Sequence, residues 1–264
     1  MGLTDDLSAK MLGELLPDRP IRSYPALLST EADALAWARA GAPEGALVAA
    51  GYQVSPRGRA GRPWPPAGER GVAFSMVLRP RLAAEREGWL YTVALAGLAA
   101  AAGDDATIEW PDELRRGEAL AGAVAVQVGL GPGGVEWAVV SVLVCDARPS
   151  RAAALAGAAR AIETSSAQPA AALLDEYRRR CTTLGRHVCA RMIPLGPAGP
   201  RVSGRAVGLL KDGALLIETD SGRRVPVRPQ NLALLEPYEP GALRGSSPAA
   251  SPPGAPPRWT GSSG

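Results

Sequence analysis

The chain of 264 residues is 46% hydrophobic and contains 31 glycines and 25 prolines, so it can bury the core of one large domain or two unequal domains. This composition excludes a collagen-like repeat and a disulfide-stapled miniprotein. The formal net charge is +3, and arginine supplies every basic residue except Lys10 and Lys211, a coding bias that does not by itself indicate nucleic-acid binding.

The single histidine and the three cysteines limit the metal and redox chemistry. His187 alone excludes multi-histidine metal sites, and Cys145, Cys181 and Cys189 form no C-x-x-C pair. An odd number of unclustered cysteines indicates reduced thiols in a cytoplasmic protein. The longest apolar stretch, residues 89–102, is shorter than the roughly 18 residues of a membrane-spanning helix, so we expect no membrane partner.

Strands and helices are interspersed in the larger, amino-terminal part of the chain. After an N-terminal segment, residues 1–26, Ser29 and Thr30 open a helix predicted to run to Ala40, and Thr30 with Asp33 resembles a capping box. The pattern then predicts a strand at 46–53, a strand at 72–78, a helix at 87–102 and a hairpin of 120–128 with 135–144. Hairpins with inserted helices favour an α+β fold with a mixed sheet over a doubly wound parallel sheet.

The carboxyl-terminal part is predicted to contain two helices and then short strands. The helices are predicted at 151–162 and 169–184, and the strands at 187–192, 205–210, 214–219, 224–227 and 232–235. Tight turns at Asp212-Gly213 and Ser221-Gly222 predict a small five-stranded barrel over residues 185–238. Residues 239–264 are rich in Pro, Gly and Ser and predict a disordered tail.

A glycine-rich segment at 129–134 formally matches the dinucleotide-binding pattern G-x-G-x-x-G. That pattern requires a helix immediately afterwards, because the helix amino terminus binds the pyrophosphate. Residues 135–144 read instead as a second strand. A hairpin turn is therefore the better interpretation.

Residues 52–64, Tyr-Gln-Val-Ser-Pro-Arg-Gly-Arg-Ala-Gly-Arg-Pro-Trp, form a segment that we call the arginine loop. Three arginines alternating with small residues can bring several guanidinium and backbone N–H groups around a phosphate or a carboxylate. The same pattern is also compatible with an exposed basic loop or a weak RNA-binding segment.

Further motifs follow the arginine loop in a specific order. They are Gly71-Val72-Ala73-Phe74-Ser75, Glu109-Trp110-Pro111-Asp112-Glu113-Leu114, and Ala119-Leu120-Ala121-Gly122. With Leu28-Ser29-Thr30-Glu31 and Gln53 before them, residues 27–184 resemble the catalytic domain of biotin protein ligases. Residues 185–238 resemble the SH3-like carboxyl-terminal domain of that family.

The resemblance implies a two-step reaction that uses ATP and Mg²⁺. Biotin would attack the α-phosphate of ATP, and a lysine of a biotin carboxyl carrier protein or domain would then take the biotinyl group. The family pattern assigns biotin binding to Ser29, Thr30, Gln53, Arg57 and Gly122, and nucleotide binding to Arg59, Arg62, Trp64 and Asp112. It assigns catalysis to Arg57, Arg59 and Arg62, and metal binding to Asp112 and Glu113.

The family also suggests which partners to expect. Its repressor members carry a winged-helix domain before the catalytic domain, and the 26 residues before Leu27 are too few for one, so we expect no nucleic-acid partner. A homodimer is compatible with the resemblance.

Several positions depart from the family pattern. Glu109 and Ala119 replace two lysines, one of which grips the α-phosphate and the biotin carboxylate in the family. A negative charge at Glu109 opposes triphosphate binding, and Arg115 or Arg116 could supply the missing positive charge. Pro56 replaces a glycine before the arginines. The family's G-x-G-x-N strand end has become Ser141, Leu143 and Cys145.

Three functions therefore stay open. The first is an active, divergent biotin protein ligase. The second is a ligase-fold protein that binds biotin, an adenylate or a carrier domain without adenylation, which would be a pseudoenzyme. The third is a lipoyl or octanoyl transferase with Cys145 as nucleophile, although a buried structural cysteine is the more common case.

Overall fold

The structure is a computed structural model, and it describes residues 6–196 and 198–239. Five helices are present in these residues: α1 Ala9–Leu15, α2 Thr30–Arg39, α3 Trp89–Ala102, α4 Arg151–Ala167 and α5 Ala170–Arg180. The first seven strands are β1 Ile21–Leu27, β2 Leu47–Gln53, β3 Val72–Leu78, β4 Thr107–Glu109, β5 Glu113–Arg116, β6 Ala119–Gly131 and β7 Gly134–Val144. The remaining strands are β8 His187–Met192, β9 Arg201–Leu209, β10 Leu215–Glu218, β11 Arg224–Val227 and β12 Leu232–Pro237.

The seven amino-terminal strands form one mixed sheet in the order β1-β2-β3-β7-β6-β5-β4. Only β1 and β2 pair in parallel, and every other neighbour pair is antiparallel. The predicted α+β class with a mixed sheet is confirmed. The glycine-rich segment is the turn between β6 and β7, where Gly131 pairs with Gly134, so the hairpin interpretation is also correct.

Both faces of the sheet are covered by helices. Helices α3 and α4 pack on one face, here called the back face, over alternate residues of β3, β6 and β7 such as Phe74, Val124 and Val140. Helix α2 packs on the other face, the front face, over Val77 and Val139. Because side chains alternate along a strand, the front face also carries Ala73, Ser75, Ala123, Ser141 and Leu143.

The N-terminal segment, described from residue 6, contains a helix and a strand that the sequence analysis did not assign. It contains α1, whose Leu12 is fully buried, and β1, which forms one edge of the sheet. The capping-box interpretation of Thr30 is wrong. Ser29 occupies the N-cap of α2 without a side-chain capping bond, and the Thr30 hydroxyl turns toward the sheet.

The five carboxyl-terminal strands form a second sheet in the order β11-β10-β9-β8-β12. The predicted strand composition is present, but the closed barrel is not, because β11 and β12 end the sheet as unpaired edges. A closed barrel requires hydrogen bonds between its first and last strands. The predicted helix at 169–184 ends at Arg180, and the tail at 240–264 lies outside the described residues.

No helix in the described part of the chain is long and apolar enough to cross a membrane.

Candidate functional site

Four side chains on the front face form a continuous set of hydrogen bonds, here called the hydroxyl network. Gln53 Oε1 accepts from the Thr30 backbone N–H at 2.8 Å and from the Thr30 hydroxyl at 3.2 Å. The Thr30 hydroxyl lies 2.9 Å from Ser75 Oγ, which lies 2.9 Å from Ser141 Oγ. Two of the predicted biotin residues, Thr30 and Gln53, are therefore in direct contact.

The strand geometry explains the position of Gln53. Strands β2 and β3 pair only from Leu47 to Ala49, so they have diverged where Gln53 ends β2. The Gln53 side-chain amide crosses this gap and donates to the Ala73 carbonyl at 3.1 Å. The hydroxyls of Thr30, Ser75 and Ser141 are almost fully buried, and their mutual bonds offset the cost of that burial.

The arginine loop folds back on itself beside this network. The Gly58 N–H donates to Arg62 O at 2.7 Å, and the Trp64 N–H donates to Pro56 O at 3.1 Å. A Cβ at Gly58 would lie 2.3 Å from the Trp64 indole nitrogen, so only glycine allows this packing. Trp64 therefore braces the loop.

Arg59 is the buried arginine of the loop, with its side chain 4% exposed. Its Nε lies 3.1 Å from Asp112 Oδ1, and its Nη1 donates to the Leu232 carbonyl of the second sheet. Burial raises the pKa of Asp112 above its ordinary value, although Arg59 lowers it. The two predicted nucleotide residues Arg59 and Asp112 are thus brought together as a buried ion pair.

Arg57 and Arg62 are exposed, in contrast to Arg59. Arg57 Nη1 donates to Gly61 O at 3.1 Å, within the loop. The Glu31 carboxylate is close enough to Arg57 for an electrostatic interaction. Two cations thus remain exposed to solvent beside the buried pair.

A second group of charges, here called the charged cluster, lies where β4 and β5 meet. Arg115 Nε lies 3.1 Å from Glu109 Oε2, and Arg115 Nη2 pairs with Glu113. Arg186 Nη1 lies 4.0 Å from the other Glu109 oxygen. The negative charge of Glu109, which was expected to oppose triphosphate binding, is therefore compensated by two guanidinium groups.

The middle of the front face is apolar. Leu143 is 1% exposed and pairs with Ala73 on one side and Ala123 on the other. Trp64, Leu120 and Cys145 pack against this group. The front face thus presents buried hydroxyls near β3, an apolar centre and charges near β5.

No family model matches the sequence. The bifunctional ligase/repressor BirA of Bacillus spizizenii is 36% identical over 90 residues, which is 33% of this chain and 28% of that protein. The same protein of Bacillus subtilis is 36% identical over 92 residues. The match thus spans little more than a quarter of the length of these curated relatives.

Among solved structures, the biotin protein ligase of Aquifex aeolicus in complex with biotin and ATP superposes with a TM-score of 0.63. It is 18% identical, and the match covers 83% of this chain and 99% of that one. The Helicobacter pylori biotin acetyl coenzyme A carboxylase synthetase gives 0.55 at 19% identity, covering 79% and 100%. A biotin protein ligase-like protein of unknown function from Silicibacter sp. gives 0.61 at 15% identity, covering 81% and 96%.

The chain is thus similar in fold to biotin protein ligases over most of its length, and similar in sequence to BirA over a third of it. Ser29, one of the predicted biotin residues, is buried at the start of α2 without a side-chain capping bond. Gly122 is not brought to the front face, because its missing side chain would point at Leu98 of α3.

The two predicted magnesium residues, Asp112 and Glu113, each face a guanidinium group. Asp112 is paired with Arg59, and Glu113 with Arg115, so both carboxylates are occupied by guanidinium groups. Among residues 6–196 and 198–239, no group of three or more His, Cys, Asp or Glu side chains could hold a metal ion. In the described residues, the two carboxylates thus lack a third protein donor beside them and are engaged by arginines.

The environments of Cys145 and His187 do not favour a catalytic role for either side chain. Burial raises the pKa of the Cys145 thiol, and the nearby Glu113 carboxylate raises it further, which disfavours the thiolate that a nucleophile needs. His187 is exposed on β8.

Three functional candidates escaped the sequence-based assignment. Ser75 belongs to the motif Gly71–Ser75, to which no role was assigned. Its spacing of two residues from Ala73 on the same strand was the signal that both side chains share one face of the sheet. Ser141 lies on β7, 66 positions after Ser75, so only the strand pairing reveals their contact. Glu31 was noted only as part of a helix start.

A cavity of about 290 Å³ opens on the α3 side of Arg59. Its lining includes Arg59, Glu87, Tyr91, Val126, Gln230 and Leu232. The Tyr91 hydroxyl donates to the Val126 carbonyl at 3.3 Å, and burial raises the pKa of Glu87. Among the predicted site residues only Arg59 lines this cavity, so it is separate from the hydroxyl network.

Replacing Glu31 with glutamine is expected to stabilise the protein, and the gain should depend on pH. Its Oε2 is buried without a hydrogen-bond partner in the described residues, and burial raises its pKa above 4.5 while Arg57 lowers it. A raised pKa means that the folded state binds the proton more tightly, so its stability falls as pH rises above 4.5. Glu31→Gln should therefore raise Tm by about 2 °C at pH 7.5.

Thermal unfolding between pH 4 and 8 measures this effect, with Glu44→Gln as the control at an exposed glutamate. The difference between Glu31→Gln and the parent should vanish below about pH 4.5. A gain that is equal at all pH values would show that the charge of Glu31 is not its cause.

Proposed function

We propose that the chain is an ATP-dependent biotin protein ligase that biotinylates a lysine of a biotin carboxyl carrier protein or domain in the cytoplasm. In the first step a carboxylate oxygen of biotin attacks the α-phosphorus of ATP, and pyrophosphate leaves. In the second step the neutral lysine amine attacks the acyl carbon, AMP leaves, and the amine loses a proton. ATP and biotin are the small-molecule substrates.

The observation that carries this proposal is the juxtaposition of the hydroxyl network with the arginine loop. The network offers oriented hydrogen-bond donors and acceptors to a polar head group such as the ureido ring of biotin. The polar atoms of such a group need hydrogen-bond partners when they are buried in an otherwise apolar site. Gln53 belongs both to the network and to the arginine loop, and the Arg57 guanidinium interacts electrostatically with Glu31, the neighbour of Thr30. A pentavalent phosphorus gains charge on its oxygens, and fixed cations stabilise that charge.

Arg57 provides the test. The exposed side chain makes one hydrogen bond, to Gly61 O, so Arg57→Ala should leave Tm within about 1 °C of the parent. The same variant should slow formation of biotinyl-adenylate from biotin, Mg²⁺ and labelled ATP by on the order of 10²-fold. Pyrophosphate release and transfer to a carrier domain are the readouts.

The control for this assay is Arg81→Ala, a substitution of an arginine outside the arginine loop and the charged cluster. Equal rates in Arg57→Ala and Arg81→Ala would remove the arginine loop from the reaction. The absence of adenylate and pyrophosphate in the parent would contradict the ligase proposal itself.

A second candidate function is favoured by Leu143. At this position the family pattern has glycine, and here a fully buried isobutyl group fills the centre of the front face between Ala73 and Ala123. The Leu143 side chain narrows the space available to the two fused rings of biotin. This favours the alternative in which the protein binds its ligand but does not catalyse adenylation. Calorimetric binding of biotin without pyrophosphate release would establish that candidate, and Leu143→Ala should then strengthen the binding.

A further inference from the structure

The proposed adenylation requires positive charge at the end of the front face near β5, because the α-phosphate gains charge there in the transition state. Glutamate and alanine occupy positions 109 and 119, where the family has lysines. We propose that Arg115 supplies this charge and contacts the α-phosphate. This inference rests on the proposed function.

The strand register separates Arg115 from its neighbour Arg116. A bulge between Leu114 and Arg115 pairs Arg115 with Leu120, and Leu120 packs with the front-face group of Ala123 and Leu143. Paired residues of an antiparallel ladder point to the same face, so Arg115 lies on the front face.

Arg116 pairs with Ala119, and both therefore point away from the front face. The Arg116 guanidinium bonds the Ala102 carbonyl at 3.0 Å and Asp105 at 2.6 Å. Between the two arginines that could supply the charge, the structure therefore selects Arg115.

The Arg115 guanidinium is held in one orientation. Its Nε contacts Glu109, its Nη2 contacts Glu113, and its Nη1 donates to the Glu118 carbonyl at 3.1 Å. A guanidinium has five N–H groups; Nη1 and Nη2 each use one in these hydrogen bonds, and the Nε N–H is buried beside Glu109, so one N–H on each Nη atom remains. The side chain is 32% exposed, which leaves those two groups accessible to a ligand.

Glu109 and Glu113 act as positioning residues for Arg115. Fixing the guanidinium before the substrate arrives removes the cost of reorganising it during the reaction. Arg186 lies 4.0 Å from Glu109, so the group of two glutamates and two arginines carries no net charge. Glu109 thus orients Arg115, while Arg186 offsets its negative charge.

The step involves no proton transfer by Arg115. The carboxylate oxygen forms a bond to the α-phosphorus, the bond to the pyrophosphate oxygen breaks, and pyrophosphate leaves with its electron pair. The two free N–H groups of Arg115 donate to a non-bridging oxygen of the α-phosphate, whose negative charge grows in the transition state.

The experiment measures biotin-dependent exchange of labelled pyrophosphate into ATP for Arg115→Ala, Arg115→Lys and the matched control Arg116→Ala. Arg115→Ala should lower the exchange rate by on the order of 10²-fold, and Arg115→Lys should recover part of it. Arg116→Ala should stay within about twofold of the parent, and biotin affinity by calorimetry should be unchanged in all three. Equal rates for Arg115→Ala and Arg116→Ala would overturn the inference.

A parent without exchange activity would refute the proposed function without deciding the role of Arg115. Calorimetric titration with ATP and Mg²⁺ then provides the independent readout. At least tenfold weaker ATP binding in Arg115→Ala than in Arg116→Ala supports the phosphate contact. Equal ATP affinity in the two variants, or no ATP binding by the parent, overturns it.

Discussion

Replacing Asp112 with alanine should destabilise the protein by about 3 kcal/mol, because it leaves the buried Arg59 guanidinium without its counter-charge. Arg59 is 4% exposed and Asp112 16% exposed, and 3.1 Å separates Nε from Oδ1. The Leu232 carbonyl also accepts from Arg59 but carries no full charge. Urea unfolding of the parent and of Asp112→Ala measures the loss.

A double-mutant cycle separates the ion pair from the packing around it. Arg59→Met alone leaves Asp112 buried without its guanidinium and should also be destabilising. The double variant Arg59→Met with Asp112→Ala should lose less than the sum of the two single losses, because neither charge remains unpaired. Additive losses would show that the two side chains do not interact.

This ion pair connects three segments that are distant in the sequence. Arg59 belongs to the arginine loop, Asp112 to the turn between β4 and β5, and Leu232 to the second sheet. If Arg59 contacts a nucleotide, it must use the N–H groups that these two partners leave free. Asp112 holds the Arg59 guanidinium in place, so Asp112→Ala should weaken ATP binding even where the remaining fold is intact. Calorimetry with ATP and Mg²⁺ measures this loss of affinity.

The mixed sheet could be predicted because its central strands carry strong local patterns. Strand β3 was placed at Val72–Leu78 and is buried throughout, as the continuous apolar run indicates. Strands β8 and β11 were also placed correctly. Strands β4 and β5 were missed because they contain three and four residues and several charges, too few for a period to appear.

The candidate site could be predicted only in part. Thr30 and Gln53 lie in short motifs that the sequence singled out, and the structure brings them into contact. The choice between Arg115 and Arg116 depends on the pairing of β5 with β6, where a one-residue bulge in β6 brings Leu120 opposite Arg115, and this pairing leaves no trace in composition or spacing. The contact between Ser75 and Ser141 likewise depends on the pairing of β3 with β7.

Gly97→Ala should lower stability by about 3 kcal/mol, because helices α3 and α4 pack backbone to backbone at this position. A Cβ at Gly97 would lie 2.6 Å from Ile162 Cα and 2.7 Å from Ile162 N. Backbone atoms cannot rotate away as a flexible side chain can, so the two helices must separate. For a chain of this size the expected loss is about 9 °C in Tm.

Gly157→Ala is the matched control, since it lies in α4 and a Cβ there would meet no atom within 4 Å. It should stabilise the protein by about 1 kcal/mol through helix propensity alone. Both helices cover the back face, whereas the hydroxyl network and the charged cluster lie on the front face. Gly97→Ala should thus lower Tm while biotin affinity, measured at 15 °C where the variant is still folded, stays within about twofold of the parent. A parallel loss of affinity would show instead that the packing of α3 on α4 determines the front-face geometry.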